Sequence, residues 1–274
     1  MLPRANRHFL PDHIWHITHR CHNKAFLLKF SEDRTRWISW LNKAVKKHGL
    51  SVLNYTVTCN HIHLLVFDTG KADAIWRSMQ LDEGCTAENY NARKDRKGAF
   101  WEDRYHATAV QSGNHLIRCM IYIDNNMIRA GEVKKPEDWL HCGYREIRSR
   151  RPGTRIIDMQ RLKKLANVKS KEEFIDLYQK IKFDPHFFPS FEKRQEFWTS
   201  SIAVGDKNFI DSFTTHLDKK GKGRQAVVVD DSKDIHVLKE PGAEYLSETN
   251  EQPPVAGISA STFSIRGDNL VSMH

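Results

Sequence analysis

Leu50-Ser51-Val52-Leu53-Asn54-Tyr55-Thr56-Val57-Thr58, then Cys59-Asn60, then His61-Ile62-His63-Leu64-Leu65-Val66-Phe67: two runs rich in β-branched and apolar residues, separated by two positions. Their composition predicts two strands and their spacing a hairpin. Working back from the hairpin, Gly49 marks the end of a helical pattern that begins after Ser31 and carries Trp37, Trp40/Leu41, Ala44/Val45 and His48 on one stripe. Before that helix, His13-Ile14-Trp15-His16-Ile17-Thr18-His19-Arg20 alternates in part and reads as a first strand. Working forward, residues 71–95 read as a helix with an interruption expected at Gly84, and Tyr105 to Val110 alternates like a fourth strand. Ser112 then stands where it can cap a further helix running to about Arg129 and stopping at Gly131. The order β-α-β-β-α-β-α predicts an α+β fold, a ferredoxin-like split βαβ antiparallel sheet with helices on one face.

This pattern defines a first domain over residues 1–150. Arg148-Ser149-Arg150-Arg151-Pro152-Gly153 is a basic hinge. Beyond it, residues 151–246 read as a mainly helical appendage with a possible role in DNA binding. Asp158 starts a short helix, Ser170-x-x-Glu173 is a capping box, and Phe188–Trp198 and Lys207–Leu217 are further helical stretches. Lys219 to Arg224 is a basic link and Gln225 to Val229 a short strand. Residues 247–274, rich in Ser, Gly and Pro, predict a flexible tail.

Hydrophobic residues make up 39% of the 274-residue chain and charged residues 28%, which suits a soluble protein that buries a core. Short, interrupted apolar runs exclude a membrane partner, and Met1 to Arg7 lack the apolar core of a secretory signal. Five scattered cysteines, with no Cys-x-x-Cys pair, argue against a disulfide framework or a cysteine zinc site and point to a reducing cytoplasm. The formal charge of +9 makes a polyanion, nucleic acid first, the expected partner.

In a strand, residues i and i+2 share a face, so His61 and His63 point the same way and Ile62 and Leu64 the other. Such a pair is either a two-toothed metal claw or two histidines satisfied by hydrogen bonds. In the helix before Gly131, Leu116, Met120, Ile123 and Met127 form an apolar stripe. Arg118, Tyr122, Asn126 and Arg129 form a separate polar row, off the buried face, with Tyr122 and Asn126 one turn apart. His13, His16, His19 and His22 recur every third residue, but a strand sends them to alternating faces, so no metal is assigned to them.

His61-Ile62-His63 followed by Leu64-Leu65-Val66 resembles the histidine-hydrophobic-histidine (HUH) motif. Tyr122-Ile123-Asp124-Asn125-Asn126-Met127-Ile128-Arg129-Ala130-Gly131 resembles the tyrosine motif of single-tyrosine HUH transposases, in particular the subgroup called REP-associated tyrosine transposases. Phe100-Trp101-Glu102-Asp103-Arg104-Tyr105 and Trp139-Leu140-His141-Cys142-Gly143-Tyr144 support it. The resemblance spans roughly residues 8–147. Many relatives carry proline where this chain has Cys59 and Met127; neither change removes a chemical group.

The resemblance implies that His61, His63 and the Asn126 amide oxygen hold one divalent cation, Mg²⁺ or Mn²⁺. Tyr122 would be the nucleophile, forming a 5′-phosphotyrosine on single-stranded or hairpin DNA. Arg4, Arg7, Arg104, Arg118, Arg129 and the 148–151 cluster are candidate DNA contacts, and the protein would act as a monomer or homodimer. Three other readings use the same residues: a domesticated DNA-binding or regulatory protein acting on hairpin repeats, an HUH replication-initiator nickase, and a hydrolytic metalloenzyme on small substrates. The last leaves the tyrosine–asparagine turn unexplained.

Overall fold

The computed structural model describes residues 9–71, 73–149, 155–187, 191–217, 224–230, 232 and 234–240. Arg4, Arg7, residues 150–154, most of the basic link and the tail from residue 247 lie outside the described residues.

Strand β1 (Ile14–Arg20) leads to helix α1 (Ser31–His48), then to the hairpin β2 (Ser51–Val57) and β3 (His61–Phe67). Helix α2 (Ala74–Arg93), strand β4 (His106–Val110) and helix α3 (Asn114–Asp124) follow. The four strands lie in the order β2-β3-β1-β4, all antiparallel, the arrangement expected of a split βαβ unit. Alternation explains the layering. Ile17, Val57, Ile62 and Leu64 have no solvent exposure, and α1 buries Trp37, Leu41 and Ala44, the stripe legible in the sequence. Gly49 closes α1 with φ of 71°, its N–H donating to the Val45 carbonyl. Gly84 does not interrupt α2: the helix passes straight through it, because α1 packs along its length and tertiary contact outweighs glycine's weak helix propensity. Gly113, with φ of 71°, rather than Ser112, stands at the entrance to α3.

α3 breaks for one residue at Asn125 and resumes as α4 (Asn126–Arg129). Helix α5 (Gly143–Arg148) packs on β2. Beyond residue 150 come α6 (Met159–Ala166), capped by Asp158, and α7 (Lys171–Lys182), whose Ser170 Oγ accepts from the Glu173 N–H at 3.0 Å. Where a helix was expected over Phe188–Trp198, α8 spans Phe197–Ser200. Helix α9 (Lys207–His216) is as expected. Three strands accompany these helices: β5 (Ala203–Gly205), β6 (Gln225–Asp230) and β7 (Ile235–Lys239). They extend the first sheet to seven strands, β2-β3-β1-β4-β5-β7-β6, with β5 parallel to β4.

α3 therefore lies between the sheet and the C-terminal helices, and every residue from His115 to Asp124 is buried. Arg118 and Tyr122, expected on a face off the core, are buried with the rest of α3, while Asn126 and Arg129 stay half-buried. Asp124 shows how α3 is covered: its carboxylate accepts from Asn54 Nδ2 of β2 at 2.9 Å and from the Tyr178 hydroxyl of α7 at 2.8 Å.

On α2, Asp82 is buried and burial pushes its pKa well above the usual carboxylate range, with Glu83 adding to the shift and Thr86 opposing it. Its folded pKa is raised, so the unfolded chain gives up this proton first, near pH ~3.9, and stability falls as pH rises from there. Asp82→Asn should remove that slope and add about 1–2 kcal/mol at pH 8 while adding little at pH 4. Thermal melts of both chains at the two pH values check it; an equal difference at both would refute the account.

Candidate active site

β3 places His61 and His63 on the face that α3 and α4 cover. Asn126 Nδ2 donates to His63 Nε2 at 3.0 Å and reaches His61 Nε2 at 3.5 Å, so three side chains from two elements converge. The other ring nitrogens are held from behind. His61 Nδ1 lies 2.7 Å from Asn60 Oδ1 and 2.9 Å from Thr58 Oγ1, both in the β2–β3 turn. His63 Nδ1 lies 2.9 Å from Nε2 of His16 on β1. Thr18, not His16, sits directly across from His63, so His16 reaches it diagonally on the same face.

Burial drives the pKa of His61 down to about 3 and that of His16 to about 4, and puts His63 well below the usual histidine range. For His61 the Arg20, Arg194 and Arg129 guanidiniums add to the effect. All three rings are thus neutral at pH 7, and the two Nε2 lone pairs face one point. An amide shows either oxygen or nitrogen by a half-turn of its end, and which way it faces is set by its neighbours. The donor chemistry, two imidazole Nε2 atoms and a carboxamide, fits a mixed nitrogen/oxygen cation site. Among the described residues no three His, Cys, Asp or Glu side chains gather to hold a metal, so such a site needs the amide as its third donor.

Tyr122 stands beside this group. Its ring centroid is 5.9 Å from that of His63 and 6.3 Å from that of His16, edge-on to both. It is only 3% exposed. Trp198 of α8 lies 6.4 Å away on one side, and the Arg129 guanidinium sits 4.4 Å above the ring while donating to the Tyr122 carbonyl at 2.9 Å. Burial raises the phenol's pKa; Arg129, Arg194 and a hydrogen bond with Thr199 pull it back.

The structure thus brings together Tyr122, His61, His63, Asn126 and Arg129. Arg118 points elsewhere: it is 8% exposed and its guanidinium lies 3.9 Å above the Phe187 ring, in the field of Asp234 and Asp184. Arg104 is exposed in the turn before β4. His19 is on the opposite face of β1 from His16, stacked on Trp101 and 2.7 Å from a Glu83 oxygen. Sequence reading missed Thr58, Asn60, His16, Arg194 and Trp198. Alternation along β1 separates His16 from His19, but only strand register brings His16 to His63. Nothing local marks Arg194 or Trp198.

Residues 10–126 match the family described as transposase, IS200 like. A solved REP-associated tyrosine transposase bound to a REP hairpin is 16% identical with a TM-score of 0.44, over 54% of this chain and 87% of that one. A candidate transposase from Deinococcus radiodurans R1 is also 16% identical, with a TM-score of 0.32 over 44% of this chain and 96% of that one. No curated protein matches this chain. At these TM-scores the structural likeness carries no argument, and what the comparisons give is that residues 10–126, less than half of the chain, are similar in sequence to IS200-like transposases.

Proposed function

We propose that the chain cleaves and rejoins single-stranded DNA through a 5′-phosphotyrosine on Tyr122. The observation that carries this reading is the convergence of Asn126 on both Nε2 atoms, with the Tyr122 ring against His63. His61, His63 and Asn126 would hold Mg²⁺ or Mn²⁺, which when bound supplies a Lewis acid that draws charge from a phosphate oxygen. Tyr122 Oη then attacks phosphorus; the bond to the 3′ oxygen breaks, and that oxygen leaves as a hydroxyl, its proton balanced by the one the phenol gives up. The diester formed keeps the energy of the bond it replaced, so another 3′-hydroxyl can reverse the step without ATP.

Arg129, with Arg194, lowers the cost of the phenolate. Arg104 and Arg129, with Arg4 and Arg7 of the N-terminal segment, are the DNA contacts of this reading, in a complex of one or two chains. Arg118 is not retained among them, since its guanidinium is committed to Phe187 inside the fold. Free cysteine thiols at all five positions suit a reducing cytoplasm, and no helix among the described residues is long and apolar enough to cross a membrane.

The test is incubation of the native chain with labelled single-stranded hairpin oligonucleotides and Mn²⁺ or Mg²⁺, resolved on a denaturing protein gel. A covalent band that needs the ion, and that His63→Ala reduces by about 10²-fold or more, is expected. Adduct formation unchanged by EDTA would refute the metal assignment.

A further inference from the structure

His16 has no exposed surface, and the apolar interior alone does not account for an imidazole at its position. Its two nitrogens are both engaged. Nδ1 is 2.8 Å from the backbone carbonyl of Trp198, 182 positions away, and Nε2 is 2.9 Å from His63 Nδ1. The two rings are nearly parallel, 17° apart, with centroids at 5.1 Å. We infer that His16 is a positioning residue which, with the Trp198 carbonyl, fixes the tautomer of His63 and leaves its Nε2 lone pair for a cation; this rests on the metal site proposed above.

The argument runs through donors and acceptors. A carbonyl oxygen only accepts, so His16 Nδ1 carries a proton. A second proton on Nε2 would put a charge at a position with no solvent exposure, where both of the ring's nitrogens already face neutral groups, a backbone carbonyl and another imidazole. His16 Nε2 is therefore an acceptor, and His63 Nδ1 donates to it. His63 then has no proton on Nε2, the atom facing Asn126 at 3.0 Å. A free imidazole prefers its proton on Nε2, which would block that position, so the acceptor behind the ring decides whether His63 serves as a ligand. His61 gets the same treatment from Asn60 Oδ1, a neighbour in sequence. For His63 the chain of control begins in α8. A segment beyond residue 150 thereby enters the metal site through one backbone carbonyl.

Two measurements test this. In the native protein without metal, two-bond ¹H–¹⁵N correlations should show both His16 and His63 protonated on Nδ1. His16→Leu, which keeps a buried apolar side chain but no acceptor, should move the His63 proton to Nε2. It should also weaken Mn²⁺ binding, read by calorimetry, by about 10–100-fold. His16→Gln, whose amide oxygen can accept from His63, should stay within about threefold of native, a rescue that volume alone does not predict. An Nε2 proton on His63 in the native protein overturns the inference, as does equal Mn²⁺ affinity in a folded His16→Leu. If His16→Leu does not fold, the native tautomers and the His16→Gln affinity decide. A native chain that has the Nδ1 tautomer but binds no Mn²⁺ rejects the metal reading and leaves the relay standing.

Discussion

Tyr122→Phe should lose covalent attachment to single-stranded DNA by about 10⁴-fold or more while binding the same hairpin within about threefold. The substitution removes one oxygen. What remains keeps the ring against His63 and His16, the guanidinium of Arg129 over its face, and Trp198 at its side. The phenol oxygen's partner in the fold is the Thr199 side chain, so the stability cost should be about 1 kcal/mol or less. Loss of chemistry with the fold and the binding intact would separate a nucleophile from a packing residue. The measurements are adduct yield on a denaturing gel, hairpin affinity by fluorescence anisotropy, and a thermal melt. An adduct formed by Tyr122→Phe at a rate near native would remove Tyr122 from the chemistry. A collapse of the melting temperature would instead mark it as structural.

The order of elements around the hairpin was legible because each rests on local rules. Strand alternation gave His61 and His63 a common face, the stripe of Trp37 and Leu41 gave α1, and Gly49 gave its end. The pairing of Tyr122 with Asn126 was legible for the same reason, one helical turn being a local distance. What could not be read was cover. Tyr122 sits in a row with Arg118, Asn126 and Arg129, a pattern that means a wet face on an isolated helix. It is dry here because α8, α7 and α6 close over α3, and their approach depends on contacts between residues far apart in the chain. Register had the same consequence for His16. Alternation says which face it takes, and only the pairing of Thr18 with His63 says which histidine it meets. Arg118 failed for a third reason: its row on the helix is right, but its long side chain turns to Phe187.

A chain ended after residue 149 should fail to melt cooperatively, even though the hinge composition there suggests a boundary. The sheet continues past that point: Ala109 and Val110 of β4 pair with Ala203 and Val204 of β5. Ending the chain strips β4 of that neighbour and leaves an open, apolar edge. It removes Trp198 and Phe213, each 1% exposed, and Phe174 and Leu162, which cover α3. Deleting one large buried aromatic side chain costs about 3–5 kcal/mol, and a domain's whole stability is about 5–15 kcal/mol, so losing several together exceeds what the remaining sheet can supply. The same cut takes away the Tyr178 hydroxyl, leaving one oxygen of buried Asp124 without its donor, and the Trp198 carbonyl that holds His16. A far-UV melt and an amide ¹H–¹⁵N spectrum of residues 1–149 decide the matter. A dispersed spectrum with a sharp transition within a few degrees of the full chain's would make those residues self-sufficient, and the later segments an addition to a finished domain. A broad, low-temperature loss of signal would mean that the N-terminal half completes its core only with the chain that follows it.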